Sequence, residues 1–78
     1  MQTIQINSEP VELCKILKFE GIASSGASAK HMIANEEVLV NNQLETRKRK
    51  KLMAGDIINI NEKSYVLILK SKTVEVDS

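Results

Sequence analysis

The sequence predicts an α+β domain in which two short N-terminal helices pack on a small, mostly antiparallel sheet. Apolar residues recur at helical spacings in the first part of the chain, and short apolar runs separated by turn residues follow in the second part. The chain has 78 residues, of which 42% are hydrophobic, a length and composition that suit one small core. We therefore expect a single domain over residues 1–78.

A strand and a helix open the predicted fold. Polar and apolar side chains alternate over residues 3–6, which predicts a brief strand with both Ile residues on one face. Pro10 is favoured in the first turn of a helix, and Gly21 ends the helix that follows. Between them, five apolar residues recur at helical spacings, and these are Val11, Leu13, Cys14, Ile16 and Leu17.

A second helix is predicted directly after the first. Ser24 or Ser25 can cap its N-terminus, because a serine hydroxyl accepts a hydrogen bond from a backbone N–H of the first turn. Ala29, Met32 and Ile33 then form a narrow apolar stripe that would face the core.

Most of the sheet is predicted from four short segments and the turns between them. Residues 38–40 and 43–44 flank an Asn-Asn pair, which indicates a hairpin because Asn tolerates left-handed backbone conformations. A turn over residues 53–56 leads into a strand over residues 57–60. The strand predicted at residues 65–69 is apolar enough to be buried on both sides or to be paired in the middle of the sheet. The last eight residues are expected to be frayed.

Charge is distributed unevenly along the chain, although the formal net charge is only +1. Residues 1–46 carry −3, residues 52–78 carry −1, and the five consecutive basic residues between them carry +5. We call residues 47–51 the basic segment; its members are Arg47, Lys48, Arg49, Lys50 and Lys51. Such a cluster attracts polyanions by neutralising phosphates and releasing their counterions, so nucleic acid is the expected partner.

The side chains of the basic segment should differ in what they do. If the segment is extended, Arg47, Arg49 and Lys51 face one side, while Lys48 and Lys50 face the other. An arginine can hold a phosphate through two parallel hydrogen bonds, whereas a lysine acts as a mobile point charge. We therefore expect the two arginines to orient the nucleic acid and the lysines to add general attraction.

Several classes of function are disfavoured by the composition. The chain contains no convincing acid/base pair, nucleophile arrangement, metal-ligand cluster or glycine-rich phosphate loop, so we expect no catalysis, cofactor, metal or small-molecule substrate. Its longest purely apolar run, residues 66–69, is far too short to cross a membrane. A polar N-terminus without signal-peptide character and a lone Cys14 both favour a cytoplasmic location.

Ordered motifs after the first helix carry a resemblance to a known family. They are Ser25-Gly26-Ala27-Ser28-Ala29-Lys30, then Met32-Ile33, then Val38-Leu39-Val40-Asn41, then Gly55-Asp56-Ile57-Ile58. In this order and spacing, a core of residues 11–60 resembles the S-four RNA-binding domain, the module named after ribosomal small-subunit protein four. The short end strands are similar to those of stand-alone bacterial members of that family.

The resemblance implies a fold, a partner and a surface. It implies the alpha-L motif of two helices and a hairpin, which in that family forms the RNA-binding face. By resemblance, Lys30 and His31 on the second helix would join the basic segment in binding RNA. The implied partner is structured RNA, with ribosomal and transfer RNA as candidates and ribosome-associated proteins as candidate further partners.

This sequence also departs from the family pattern. The second helix offers only Lys30 and His31 where the family usually has several arginines, so the basic segment would carry more of the binding. Glu36 and Asn42 stand where the family often has glycine.

Two other functions compete with RNA binding. The two helices around Gly21 also resemble a DNA-binding helix-turn-helix, although the second helix offers few side chains suited to reading bases. The third candidate is a protein-interaction adaptor.

Overall fold

The structure is a computed structural model that describes residues 1–70. It confirms the α+β class, and the chain opens with the strand predicted over residues 3–6. Both helices follow that strand, so their description as N-terminal is not confirmed. The expectation of fraying falls on residues outside this range. In chain order the elements are β1 (Gln2–Ile6), β2 (Val11–Glu12), α1 (Leu13–Phe19), α2 (Gly26–Ala34), β3 (Val38–Val40), β4 (Gln43–Leu44), β5 (Lys51–Leu52), β6 (Ile57–Ile60) and β7 (Lys63–Leu69).

Five of the strands form one mixed sheet in the order β1-β7-β6-β3-β4. All neighbours in this sheet are antiparallel except β1 and β7, which run parallel, so the prediction of a mostly antiparallel sheet is confirmed. The strand predicted at residues 65–69 is β7, and it lies between two partners, as its apolar character indicated. A separate ladder of two residues per strand joins β2 to β5.

One face of the large sheet packs against both helices to form the core. Side chains alternate along β6 and β7, so that Ile58, Ile60, Tyr65 and Leu67 point into this core. The largest side chains that are fully buried come from both helices and both sheets; they are Leu13, Leu17, Ile33, Leu52, Ile58, Leu67 and Val38.

The first helix begins later than the sequence predicts. Pro10 lies outside it, because Val11 and Glu12 pair as a strand with β5 and the helix starts only at Leu13. Its predicted end is confirmed: Gly21 adopts a φ of 74°, a left-handed conformation that glycine enters without steric cost.

Local signals for the second helix and the hairpin are confirmed. The Ser25 hydroxyl accepts a hydrogen bond from the Ser28 backbone N–H at 3.1 Å and so caps α2. Asn41 and Asn42 have φ angles of 52° and 67°, which is the left-handed turn geometry expected between β3 and β4. In the turn before β6, the Asp56 carboxylate accepts a hydrogen bond from the Met53 backbone N–H at 2.8 Å.

Candidate nucleic-acid interface

The basic segment is not an extended strand. Lys48 and Arg49 form a turn, in which the Lys50 backbone N–H donates to the Arg47 carbonyl at 3.2 Å. Strand pairing begins only at Lys51. The predicted alternation of side chains between two faces is therefore wrong for residues 47–50.

Backbone hydrogen bonds to α1 explain this turn. The Leu13 N–H donates to the Lys50 carbonyl at 2.8 Å, and the Cys14 N–H donates to the Lys48 carbonyl at 3.3 Å. No side chain caps this helix end, so the carbonyls of the basic segment satisfy N–H groups that have no partner within the helix. The basic segment is thus fixed beside the N-terminus of α1.

Glu45 is bound to Arg47 at the start of the segment. The Glu45 carboxylate accepts hydrogen bonds from Arg47 Nε at 2.9 Å, Arg47 Nη2 at 3.2 Å and the Arg47 backbone N–H at 3.0 Å. The Glu45 residue is 8% exposed, whereas the Arg47 side chain is 70% exposed. A buried carboxylate therefore holds an arginine whose outer surface faces solvent.

The electrostatics of this pair follow from its geometry. The side-chain hydrogen bonds from Arg47 lower the pKa of the Glu45 carboxyl below its ordinary value of 4.5 and outweigh the opposing effect of burial. The same carboxylate raises the pKa of the Arg47 guanidinium. Both groups are consequently charged at neutral pH.

The other side chains of the basic segment are less constrained. Lys48, Arg49 and Lys51 are exposed, and Lys50 is half-buried. The contact between Glu45 and Arg47 is the only ion pair within residues 1–70. These four cations therefore have no acidic partner there. Their charge is available to an external anion.

The structure places Lys30 and His31 on the exposed surface of α2. Over the described range, no hydrogen bond or ion pair links either side chain to the basic segment. Their part in binding RNA stays a prediction.

A further cation lies at the opposite end of α1. The Lys18 ammonium stands over the Phe19 ring at 5.9 Å from its centroid, and Phe19 is 71% exposed. This distance is within the range of a cation–π contact.

Sequence reasoning missed Glu45. Its place two residues before Arg47 was visible, but an acid beside a basic run is normally a solvated residue. Its burial depends on β4, because the Glu45 backbone N–H donates to the Val38 carbonyl at 3.0 Å and carries the hairpin pairing one residue further.

The same part of the chain lacks two other features, a metal-ligand group and a membrane-spanning helix. Residues 1–70 contain no group of three His, Cys, Asp or Glu side chains placed to hold a metal ion. None of the helices described is long and apolar enough to span a membrane.

Fold and surface together define a class: a small α+β domain that displays a fixed basic segment beside its first helix. The chain belongs to the S4 domain family, whose model matches residues 4–68. The family resemblance drawn from the sequence is thereby confirmed.

Two bacterial relatives support the assignment to the S4 domain family. The chain is 47% identical to YbcJ of Escherichia coli (strain K12), a protein named for RNA binding, over 60 residues that make up 76% of this chain and 86% of YbcJ. It is 37% identical over 57 residues to RlbA of Bacillus subtilis (strain 168), a protein named for ribosome maturation, covering 73% of this chain and 80% of RlbA.

A solved structure shows the same fold. The solution structure of YbcJ from E. coli superposes with a TM-score of 0.67 at 42% sequence identity and covers 87% of each chain. That structure is described as revealing an αL motif involved in RNA binding. The α+β arrangement of two helices and a mixed sheet is therefore shared with that protein.

Proposed function

We propose that this chain is a non-catalytic RNA-binding module that docks its basic segment on the phosphates of a structured RNA. The observation that carries the proposal is the anchoring of this segment to α1 by the carbonyls of Lys48 and Lys50. The backbone that carries Arg47 and four cations without an acidic partner in residues 1–70 is thus held in a defined conformation.

Preorganisation is what makes this surface suited to structured RNA. A loose basic tail loses conformational freedom when it binds, and that loss reduces its affinity. Here the backbone is held before binding, so a partner with fixed phosphate positions gains most. Phe19 is the only exposed aromatic side chain in residues 1–70, which favours recognition of shape and phosphates over stacking on splayed bases.

The named relatives support a target in the translation machinery. YbcJ is named for RNA binding and RlbA for ribosome maturation, so ribosomal RNA is the first candidate and transfer RNA the second. Ribosome-associated proteins would then be neighbours of the bound module. We place this function in the cytoplasm, with which the free, buried thiol of Cys14 is compatible.

A competition experiment tests the class of partner. The protein would be bound to labelled ribosomal RNA and then challenged with unlabelled RNA or with duplex DNA of equal length. We expect the RNA to compete at lower concentration than the DNA. Stronger competition by DNA would instead support a helix-turn-helix function, and capture of a protein partner that survives nuclease treatment would support an adaptor.

A further inference from the structure

Glu45 is the one charged residue that is buried within residues 1–70. Burying a carboxylate is costly unless hydrogen bonds and an opposite charge compensate for the lost water. Arg47 provides three such hydrogen bonds, yet its side chain stays 70% exposed. The arginine side chain therefore stays on the surface, while the buried carboxylate holds its guanidinium by hydrogen bonds.

The geometry of the pair leaves part of the guanidinium free. A guanidinium has five N–H donors, and Glu45 accepts from Nε and from one N–H of Nη2. The two N–H groups of Nη1 and the second N–H of Nη2 remain. These donors lie along an edge that can bind a phosphate through two parallel hydrogen bonds.

We infer that Glu45 is a positioning residue, which holds Arg47 so that its free donors bind one phosphate of the RNA in a fixed orientation. This inference rests on the proposed RNA-binding function and adds a source of discrimination to it. Without Glu45, Arg47 would still attract any polyanion, but its guanidinium would no longer be held in one orientation.

Removing Glu45 has two opposing effects. The loss of a negative charge favours binding to every nucleic acid, whereas the loss of orientation weakens binding only where phosphate position matters. Absolute affinity therefore mixes the two effects. The ratio of affinities for structured RNA and for an unstructured polymer separates them.

The test uses three variants of the full chain: Glu45→Gln, Arg47→Lys and the double variant. Each is titrated with polyuridylate and with whichever of ribosomal or transfer RNA the native protein binds more tightly. We expect Glu45→Gln to lower the ratio of affinities about 5- to 10-fold, within the range of measured coupling between contacting residues. Arg47→Lys should lower it similarly, since lysine cannot keep the paired geometry.

The double variant identifies the route by which Glu45 acts. If Glu45 works through Arg47, the double variant has the same ratio as either single variant. If Glu45 only stabilises the loop, its replacement lowers the ratio further in the Arg47→Lys background, and the inference is overturned. Arg47→Lys changes an exposed side chain and should leave the fold intact. Its ratio of affinities therefore still tests the inference if Glu45→Gln lowers stability.

Glu20→Gln is the matched control. It removes the same charge from an exposed residue at the other end of α1, so it should leave the ratio unchanged. An unchanged ratio in Glu45→Gln would also overturn the inference. If the native protein binds neither structured RNA, the proposed function itself fails, and the inference fails with it.

Discussion

Arg47 and Arg49 are close in sequence but differ in what holds their side chains. The Arg47 side chain is held by two hydrogen bonds to the Glu45 carboxylate, whereas Arg49 lies exposed in a turn with no acidic partner in the part of the chain described. The sequence predicted the same orienting role for both. The structure holds the Arg47 side chain in place and leaves that of Arg49 exposed, and the orienting role on RNA stays a prediction for both.

The first prediction concerns the Glu45 carboxyl. In a pH titration followed by NMR, we expect its pKa to lie below 4.5, because the hydrogen bonds from Arg47 favour the ionised form. Arg47→Ala should raise this pKa, since burial then acts with less compensation. Arg49→Ala is the control and should leave it unchanged. A native pKa at or above 4.5 would contradict the described pairing.

The same pKa sets the direction of a stability effect. Because folding lowers the pKa of Glu45 below its ordinary value of 4.5, the stabilisation from ionised Glu45 is fully present above that value. It is lost as pH falls through the folded pKa. Urea unfolding of the native protein between pH 6 and pH 3 should thus show a loss of stability that Glu45→Gln partly removes.

At the scale of elements, features that depend on neighbouring residues could be predicted from the sequence. Pairing between strands that are distant in sequence could not. The Asn pair of the hairpin and the Ser25 cap act on neighbouring residues, so their chemistry could be recognised in the sequence. The β2–β5 ladder has two residues in each strand, which is too short for any periodicity. The prediction that Pro10 lies in the first turn of the helix is therefore wrong. Val11 pairs with Leu52 as a strand, and the helix starts only at Leu13.

The turn in the basic segment also depends on residues that are distant in sequence, so the sequence did not predict it. A run of five cations has no hydrophobic pattern, so an extended chain was the simplest expectation. Its conformation is set by the N–H groups of Leu13 and Cys14, more than 30 residues away in sequence. The anchoring of this surface therefore could not be predicted, although its charge could.

The connection from α2 to β3 yields the second prediction. Glu36 has a φ of 63°, which is unfavourable for a residue with a side chain, and the family often has glycine there. Glu36→Gly should increase the free energy of unfolding by about 0.5–1 kcal/mol, because relief of this strain exceeds the added entropy of the unfolded chain. Thermal unfolding would detect a rise of roughly 2–8 °C.

Glu37→Gly is the matched control for that experiment. Glu37 is not among the residues with positive φ in the described chain, so glycine there should lower stability. A stabilisation by both substitutions, or by neither, would contradict the explanation from backbone strain.

At the scale of the whole molecule, one core supports both the sheet and the basic segment. Leu52 is fully buried beside Lys51, and its strand pairs with the residues that lead into α1. The core therefore links the position of the basic segment to the stability of the domain. The parallel pairing of β1 with β7 was not predicted, because it joins the two ends of the described chain.

The third prediction tests this link. Leu52→Ala should cost about 2–5 kcal/mol, since it opens a cavity in the core. A domain of this size has a total stability of only roughly 4–12 kcal/mol, so urea unfolding should show a large loss. Met53→Ala is the control, because Met53 is 50% exposed and should cost far less. Equal costs would contradict the assigned core.

Charge distribution over the whole chain supports the central claim. The rest of the chain carries a small excess of acidic residues, so one local surface rather than net charge would attract RNA. If about three to five phosphates are neutralised there, the logarithm of affinity should fall with the logarithm of salt concentration at a slope of roughly −2 to −4.

The most direct test is this salt slope, measured for ribosomal RNA with the native protein and with the variant Arg47→Ala/Arg49→Ala. We expect the variant to bind more weakly and its slope to be shallower by about 1–2, as two phosphate contacts are lost. Lys63→Ala/Lys70→Ala removes the same charge from exposed positions outside the basic segment and should keep the native slope. A native slope near zero, or equal slopes in the two double variants, would contradict RNA binding by the basic segment.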